Sequence, residues 1–336
     1  MILSALDLSP VTGEATQAQA VRETILIARA AERLGYHRLW LAEHHNIAGL
    51  GSPAPEILIA ALTQATTTLR LGSGGVMLVN YSPLKVAEVF MELEALAPGR
   101  IDLGLGRALG TDARTGGALR SVGSEAFPQY FQLLTTWLLD ASGKAPIGDD
   151  HRLHDIHANP AGPSHPQVFV LCTSQESAAF AGQMGVGMVF AEFIARTDGG
   201  PAIAAYRAAF QPSPFRSEPW AGIALIAYAA ETAEQAWSED ALRRAVNVSM
   251  LSGRRRRFGD QESARAFLAD FIGTPMLAQV EARTLAADGP AVYARLADKA
   301  REANADEVFV MATGPSLDAR IRSLELIADA HRSRVP

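Results

Sequence analysis

The residues richest in chemistry are Glu43-His44-His45-Asn46, which follow directly on the apolar run Leu39-Trp40-Leu41. Imidazole changes charge near neutral pH and passes a proton in either direction, so His44 is the first candidate for a catalytic acid–base group. The run then enters Ile47 to Pro55, rich in glycine and proline. A strand ending this way delivers ionisable groups to a loop at its carboxyl end, where open α/β sheets and α/β barrels keep their chemistry. Two plainer readings compete. A metal pair is disfavoured, because neighbours on an extended strand end point apart and no further ligand stands at a familiar spacing. Satisfied surface histidines are the commoner fate of any such pair, and the rest of the chain must decide.

Three further apolar runs end in residues that can hold a ligand. Gly72-Ser73-Gly74-Gly75 closes one, and its missing side chains would let a flat ring lie against backbone; a tight turn is the alternative. Leu103-Gly104-Leu105-Gly106-Arg107 places a permanent cation after two glycines. Arginine suits bidentate phosphate binding, although a surface ion pair is common. Cys172-Thr173-Ser174-Gln175-Glu176-Ser177 runs into a helix. Ser174 at its N-cap, Ser177 one turn on and free N–H groups together make an anion site. The competing reading is a capping box, for which Ser177 is a weak third residue in place of Glu or Gln. Cys172 reads as a small buried residue, since no basic partner is near it in sequence.

The elements that must position these groups alternate. Strand-like runs at Ile2–Leu8, Leu39–Leu41, Leu69–Val76 and Arg100–Leu105 are separated by helical patterns at Thr16–Leu34, Ala54–Thr66 and Pro83–Leu96. An insertion follows the fourth strand: the glycine- and threonine-rich Ala108–Gly123, a helix at Phe127–Leu139, and the irregular Ala141–Pro166, with four histidines of no metal-like period. Strands resume at Val168–Leu171, Gly187–Phe190, Ala221–Tyr228 and Glu307–Met311, with helices at Glu176–Met184, Pro201–Phe210, Thr232–Val248, Ala291–Ala303 and Leu317–Ala330. Met250–Ile272, which holds Arg254 to Arg257, takes no clear assignment. Eight strand-like runs separated mostly by helices predict an α/β fold, a (β/α)8 TIM barrel, as one domain over 1–336.

Composition narrows the partners. A chain of 336 residues with 48% hydrophobic and 20% charged residues can build one large core. A net charge of -6 argues against nucleic acid as a main partner. Apolar runs are too short to span a membrane, and Asp7 interrupts the first of them, so no secretory signal is expected. The single cysteine excludes an intramolecular disulfide and fits a reducing cytoplasm.

Gly35-Tyr36-His37-Arg38-Leu39-Trp40-Leu41-Ala42-Glu43-His44-His45, Gly72-Ser73-Gly74-Gly75-Val76-Met77-Leu78 and Pro98-Gly99-Arg100-Ile101-Asp102-Leu103-Gly104-Leu105-Gly106-Arg107 together resemble the bacterial luciferase-like, flavin-dependent monooxygenases. The resemblance runs nearly end to end and implies a (β/α)8 barrel. It implies reduced FMN supplied by a separate flavin reductase, reaction with oxygen through a flavin peroxide, and oxygenation of a small organic substrate. By position, His44 matches the histidine beside the flavin ring. Ser73, Gly74 and Gly75 match the strand end under the ring, where relatives carry a non-proline cis peptide, here expected at Gly74–Gly75. Arg107, Ser174 and Ser177 resemble the phosphate site, with Arg114 or Arg120 as a second arginine. His45, Asn80, Glu192 and Phe193 fall on the substrate side. The family also implies a homodimer through the early helices, which carry Ala28, Ala30, Ala31, Ala60 and Ala61.

The chain departs from the pattern in two places. Val79-Asn80-Tyr81-Ser82-Pro83 stands where relatives often show Pro-Asn-His, and Glu192 where many have a histidine. Arg254 to Arg257 falls in a segment mobile in relatives, before the eighth strand; it reads by default as a solvated charge run, with a lid that clamps the flavin phosphate or the reductase as the alternative. Two other functions share the barrel: a deazaflavin-dependent oxidoreductase, and a flavin-binding protein without turnover. The Glu-His-His and Gly-Ser-Gly-Gly matches favour FMN over the first, and intact His44 and Arg107 weigh against the second.

Overall fold

The computed structural model describes residues 1–195, 197–254, 256 and 258–334; Arg255 and Arg257 of the arginine run lie outside them. The alternation begins as expected with β1 (Ile2–Asp7), α1 (Gln17–Leu34), β2 (Arg38–Leu41), α2 (Pro55–Ala65), β3 (Arg70–Met77), α3 (Pro83–Leu96) and β4 (Ile101–Gly106), each strand parallel to the last. α1 shows how local chemistry sets the boundaries. Thr16 accepts from the Gln19 N–H while the Gln19 side chain accepts from the Thr16 N–H, and Gly35 closes the helix at a left-handed φ of 82°. Ala20, Thr24, Ile27, Ala31 and Leu34 are buried along one stripe of α1, which turns that face to the barrel.

The insertion after β4 holds a short helix, α4 (Ala113–Ala118), then α5 (Phe127–Ala141) and an irregular stretch over 142–166. The chain continues through β5 (Gln167–Cys172), α6 (Gln175–Gln183), β6 (Gly187–Ala191), α7 (Glu192–Ala195), α8 (Gly200–Ala209) and β7 (Ala221–Ala230).

Beyond β7 the structure differs from expectation. The predicted helix over Thr232–Val248 is two, α9 (Ala233–Glu239) and α10 (Ala241–Leu251). They part at Asp240, whose ψ of 0° tightens the turn and whose buried carboxylate binds Arg243 at 2.6 Å. The unassigned stretch resolves into α11 (Gln261–Ala269), followed by α12 (Pro275–Ala282). Arg254 and Arg256 lay their guanidinium groups over Phe271 and Phe258. A ninth strand, β8 (Leu285–Asp288), then pairs with Ala227 to Ala230 at the far end of β7. It leads into α13 (Gly289–Ala303), β9 (Glu307–Ala312) and α14 (Leu317–Arg332). β9 pairs with both β7 and β1, so the closed barrel is eight-stranded and β8 is an appendage to it.

Trp40 fills the barrel lumen, its ring 4.4 Å from Phe309 and 5.0 Å from Phe169, with Leu6, Val189 and Ala224 around them. Near the amino end of β2, Arg38 bridges Asp102 at 2.7 Å and Glu307 at 2.9 Å, all three buried. An ion network at that end of a barrel reads as stability, not chemistry. A larger cluster packs the strands against the surrounding helices, and α10, α11 and α12 share a core of their own around Phe267 and Leu268. Ala28, Ala30 and Ala31 belong to the large cluster, so their small size serves packing within the chain and they offer no surface to a second copy. Among the described residues no helix is long and apolar enough to cross a membrane.

Candidate active site

The expected site residues lie at or near the carboxyl ends of β2 to β6 without all meeting in one cavity, and the hub beside β2 and β3 is Glu43. Glu43, fully buried after β2, accepts from the Met77 N–H at 2.9 Å, the Tyr81 hydroxyl at 3.0 Å and Asn80 Nδ2 at 3.3 Å. His45 Nε2 meets the same carboxylate at 2.8 Å. Every protein partner can donate, the pattern an acceptor-only carboxylate needs. Burial and the adjacent Glu43 raise the Tyr81 hydroxyl above its ordinary pKa of 10.0, so it stays a donor. His45 and Asn80, placed on the substrate side by the sequence, are thus turned to Glu43. Asn80 Nδ2 also donates to the Leu109 carbonyl, and its Oδ1 is buried without a partner among the described residues.

His44 stands apart from this network. Its Nδ1 is buried and has no hydrogen-bond partner among the described residues. Burial first, and then the neighbouring His45, hold its pKa below the ordinary 6.5. At neutral pH it is therefore a neutral imidazole, with one nitrogen to donate and one to accept. A buried imidazole nitrogen without a protein partner fits a site in which a bound group completes the bond.

The Gly74–Gly75 peptide is cis, as the resemblance implies. The glycines answer to the barrel wall, however. A Cβ on Gly75 would meet the Gly104 carbonyl oxygen at 2.6 Å and Leu171 at 2.9 Å; one on Gly74 would meet Leu6 and Trp40. Ser73 is fully buried and its hydroxyl is exchanged with the backbone of Gly104, donating at 2.8 Å and accepting at 3.1 Å. What these residues can present to a flat ring is backbone.

Arg107 and Ser177 line one cavity of about 320 Å³ at the ends of β4 and β5, with Phe127, Leu171 and Glu176. Arg107 is half-exposed and only 3.5 Å from the exposed Glu176 carboxylate, a loose pair that an anion could replace. The capping box, thought weak at Ser174 and Ser177, is fully formed. The Ser177 N–H donates to Ser174 Oγ at 3.2 Å, and Ser177 Oγ accepts from the Ser174 N–H at 3.3 Å. A serine at the third position serves because its hydroxyl can both accept and donate. Cys172 lies beside Ser177 and Arg107, and burial lifts its thiol to about 12, so it is not a nucleophile. Arg114 and Arg120 are exposed and outside this cavity.

Glu192 and Phe193, just past β6, line a second cavity of about 180 Å³ with residues of β7, α10, α12 and α13. The Glu192 carboxylate binds Lys299 at 2.9 Å and accepts from the Gly199 N–H at 3.1 Å. His44 lines neither cavity. Among the described residues no group of three metal-ligating side chains is assembled.

Comparison with known proteins gives one answer. The family model for luciferase-like monooxygenases matches residues 1–307. A luciferase-like monooxygenase of Escherichia coli K12 is 36% identical over 335 residues, 97% of this chain and 96% of its own. An N-acetyl-S-alkylcysteine monooxygenase of Bacillus subtilis is 38% identical over 272 residues, 79% of each chain. The crystal structure of apo-MsnO8 superposes with a TM-score of 0.88 at 34% identity, covering 98% of both chains. More distant barrels share the fold alone: a diketocamphane monooxygenase component from Pseudomonas putida in complex with FMN (17% identity, TM-score 0.69, 100% of this chain and 99% of that one) and an F420-dependent secondary alcohol dehydrogenase (12%, 0.69, the same coverage). The chain therefore belongs to the luciferase-like monooxygenases.

Proposed function

We propose that this protein is the oxygenase component of a two-component system that uses reduced FMN from a separate flavin reductase. The buried, unpartnered Nδ1 of His44 carries the reading, on a rim that also bears the Arg107 and Ser177 cavity. Reduced flavin, when bound, supplies two electrons to molecular oxygen, so that one atom enters the substrate and the other leaves as water. Arg107 and the start of α6 would hold its phosphate, Arg107 exchanging Glu176 for it. The backbone of Ser73, Gly74 and Gly75 would face the ring. His44, neutral and shielded, would hold or deliver one proton at Nδ1, while Glu43 keeps the His45–Asn80–Tyr81 wall in place and water out.

S-alkylated N-acetylcysteines are the first substrates to try, given the substrate named for the Bacillus subtilis relative. The reading includes a reducing cytoplasm, on the lone buried Cys172. It also includes a homodimer through α1 and α2, whose outer faces expose Leu26 and Ile57.

The test is anaerobic titration with photoreduced FMN, and in parallel with reduced deazaflavin, followed by mixing with oxygen. Tight binding of reduced FMN and oxidation slower than that of free flavin support the reading. Preference for the deazaflavin, or oxidation at the free rate, overturns it.

A further inference from the structure

The cavity after β6 has a charge pattern that the flavin reading does not use. Its floor is apolar, with Phe193, Leu225 and Leu285 among its lining residues. Phe193 also packs against the lumen cluster around Trp40, so the cavity abuts the interior of the barrel. Four cations, Arg243, Arg283, Arg295 and Lys299, line it against two carboxylates, Glu192 and Asp198. Both carboxylates are spent on Lys299, at 2.9 and 2.8 Å. Arg243 is held from behind by the buried Asp240. Among the described residues Arg295 meets no carboxylate, and its one hydrogen bond is a long one, 3.3 Å, to the Thr284 carbonyl. Asn247 and Gln279 add neutral amides to the wall.

We infer that this cavity takes a small organic carboxylate, its anionic end on Arg295 and its apolar end on the Phe193–Leu225 floor. At about 180 Å³ the space is below the ~300–1,000 Å³ of drug-sized sites, so the ligand is a compact one. A charge-assisted hydrogen bond is roughly twice as strong as a neutral one, so an acid should outbind its neutral analogue at the guanidinium. The inference rests on the monooxygenase reading only in taking this ligand to be the molecule that is oxidised.

Binding is measured by calorimetry on the whole protein, without flavin or oxygen. The probes are hexanoate and N-acetylmethionine, each beside its neutral counterpart, hexanamide and the methyl ester. At least one acid should bind more tightly than its counterpart by about tenfold or more. Arg295→Gln should remove that preference, Arg295→Lys should keep part of it, and the neutral probes should not respond to either. The side chain is exposed, so the fold should tolerate both changes. If no acid outbinds its counterpart, or Arg295→Gln binds the acids as wild type does, the inference falls. It falls equally if Arg295→Gln weakens FMN and leaves riboflavin untouched, since the cavity would then serve the flavin phosphate. Acid binding without flavin-dependent oxygenation would defeat the proposed function and leave this site standing. Oxygenation of neutral substrates alone would do the reverse.

Discussion

Glu43 and His45 are two residues apart in the chain and face each other in the fold, Oε1 to Nε2 at 2.8 Å, with the carboxylate fully buried. The same carboxylate gathers donors from β3 and the turn after it, so one side chain fixes the geometry of the rim that carries His44. Glu43→Ala should leave several buried donors unpaired and destabilise the protein by about 3–5 kcal/mol. Chemical denaturation checks this. His45→Ala removes only one of those partners and should lower stability by about 1.5–3 kcal/mol.

His44→Ala should still bind reduced FMN, because the phosphate site proposed at Arg107 and Ser177 lies in a cavity that His44 does not line. Substrate oxygenation should drop by roughly 10²–10⁴-fold, with partial recovery on adding imidazole. Steady-state turnover and flavin titration on the same preparation separate the two effects. Oxygenation at the wild-type rate would make His44 a structural residue.

Arg107→Ala should weaken FMN by about 1.5–3 kcal/mol and riboflavin hardly at all. Glu176→Gln should do the opposite for FMN and tighten it, because the carboxylate 3.5 Å from the guanidinium competes with the phosphate. Equal responses of FMN and riboflavin in both variants would remove the phosphate from this cavity.

Gly75→Ala should destabilise the barrel by about 1–3 kcal/mol, since the new methyl group meets a carbonyl oxygen at 2.6 Å. Gly49→Ala, with nothing within 4 Å of its added carbon, is the control and should unfold as wild type does. Thermal melts of the two variants decide the matter before any flavin is added.

Acid should weaken the fold through His44. Its folded pKa lies below 6.5, so the unfolded chain binds the proton more readily. This contribution is whole above pH 6.5 and is lost as the pH falls from there through the folded value. Denaturation midpoints measured between pH 7 and 5 should decline less steeply in His44→Gln than in wild type.

Much of this was legible from residue order because barrels repeat a simple signal. Parallel strands buried on both faces read as short apolar runs, and the capped helices between them are marked by Thr16, Pro83 and Gly35. β8 escaped notice because Leu285-Ala286-Ala287-Asp288 is four residues long and has no alternation. Glu43 was visible at the end of β2, but its partners Met77, Asn80 and Tyr81 come from 34 to 38 residues further on, and only tertiary packing brings them in. The glycines after Leu71 were legible as a demand for small size. Whether a ring or a neighbouring strand made that demand depends on Gly104 and Leu171, whose approach no local pattern records.

The pairing of β8 with the tail of β7 bears on how this protein can change. Residues 231–284 leave and rejoin the molecule at strands zipped side by side from Ala227–Leu285 to Ala230–Asp288. That excursion is therefore a loop whose mouth is already closed, with an interior of its own around Phe267. Its length and content can be altered with little effect on the spacing of its two ends, because closure entropy grows only slowly with loop size. The wall that α10 and α12 give to the cavity after β6 is thus a replaceable part on a fixed mount. New ligand preferences can arise there while the β7–β9 seam that shuts the barrel is left alone.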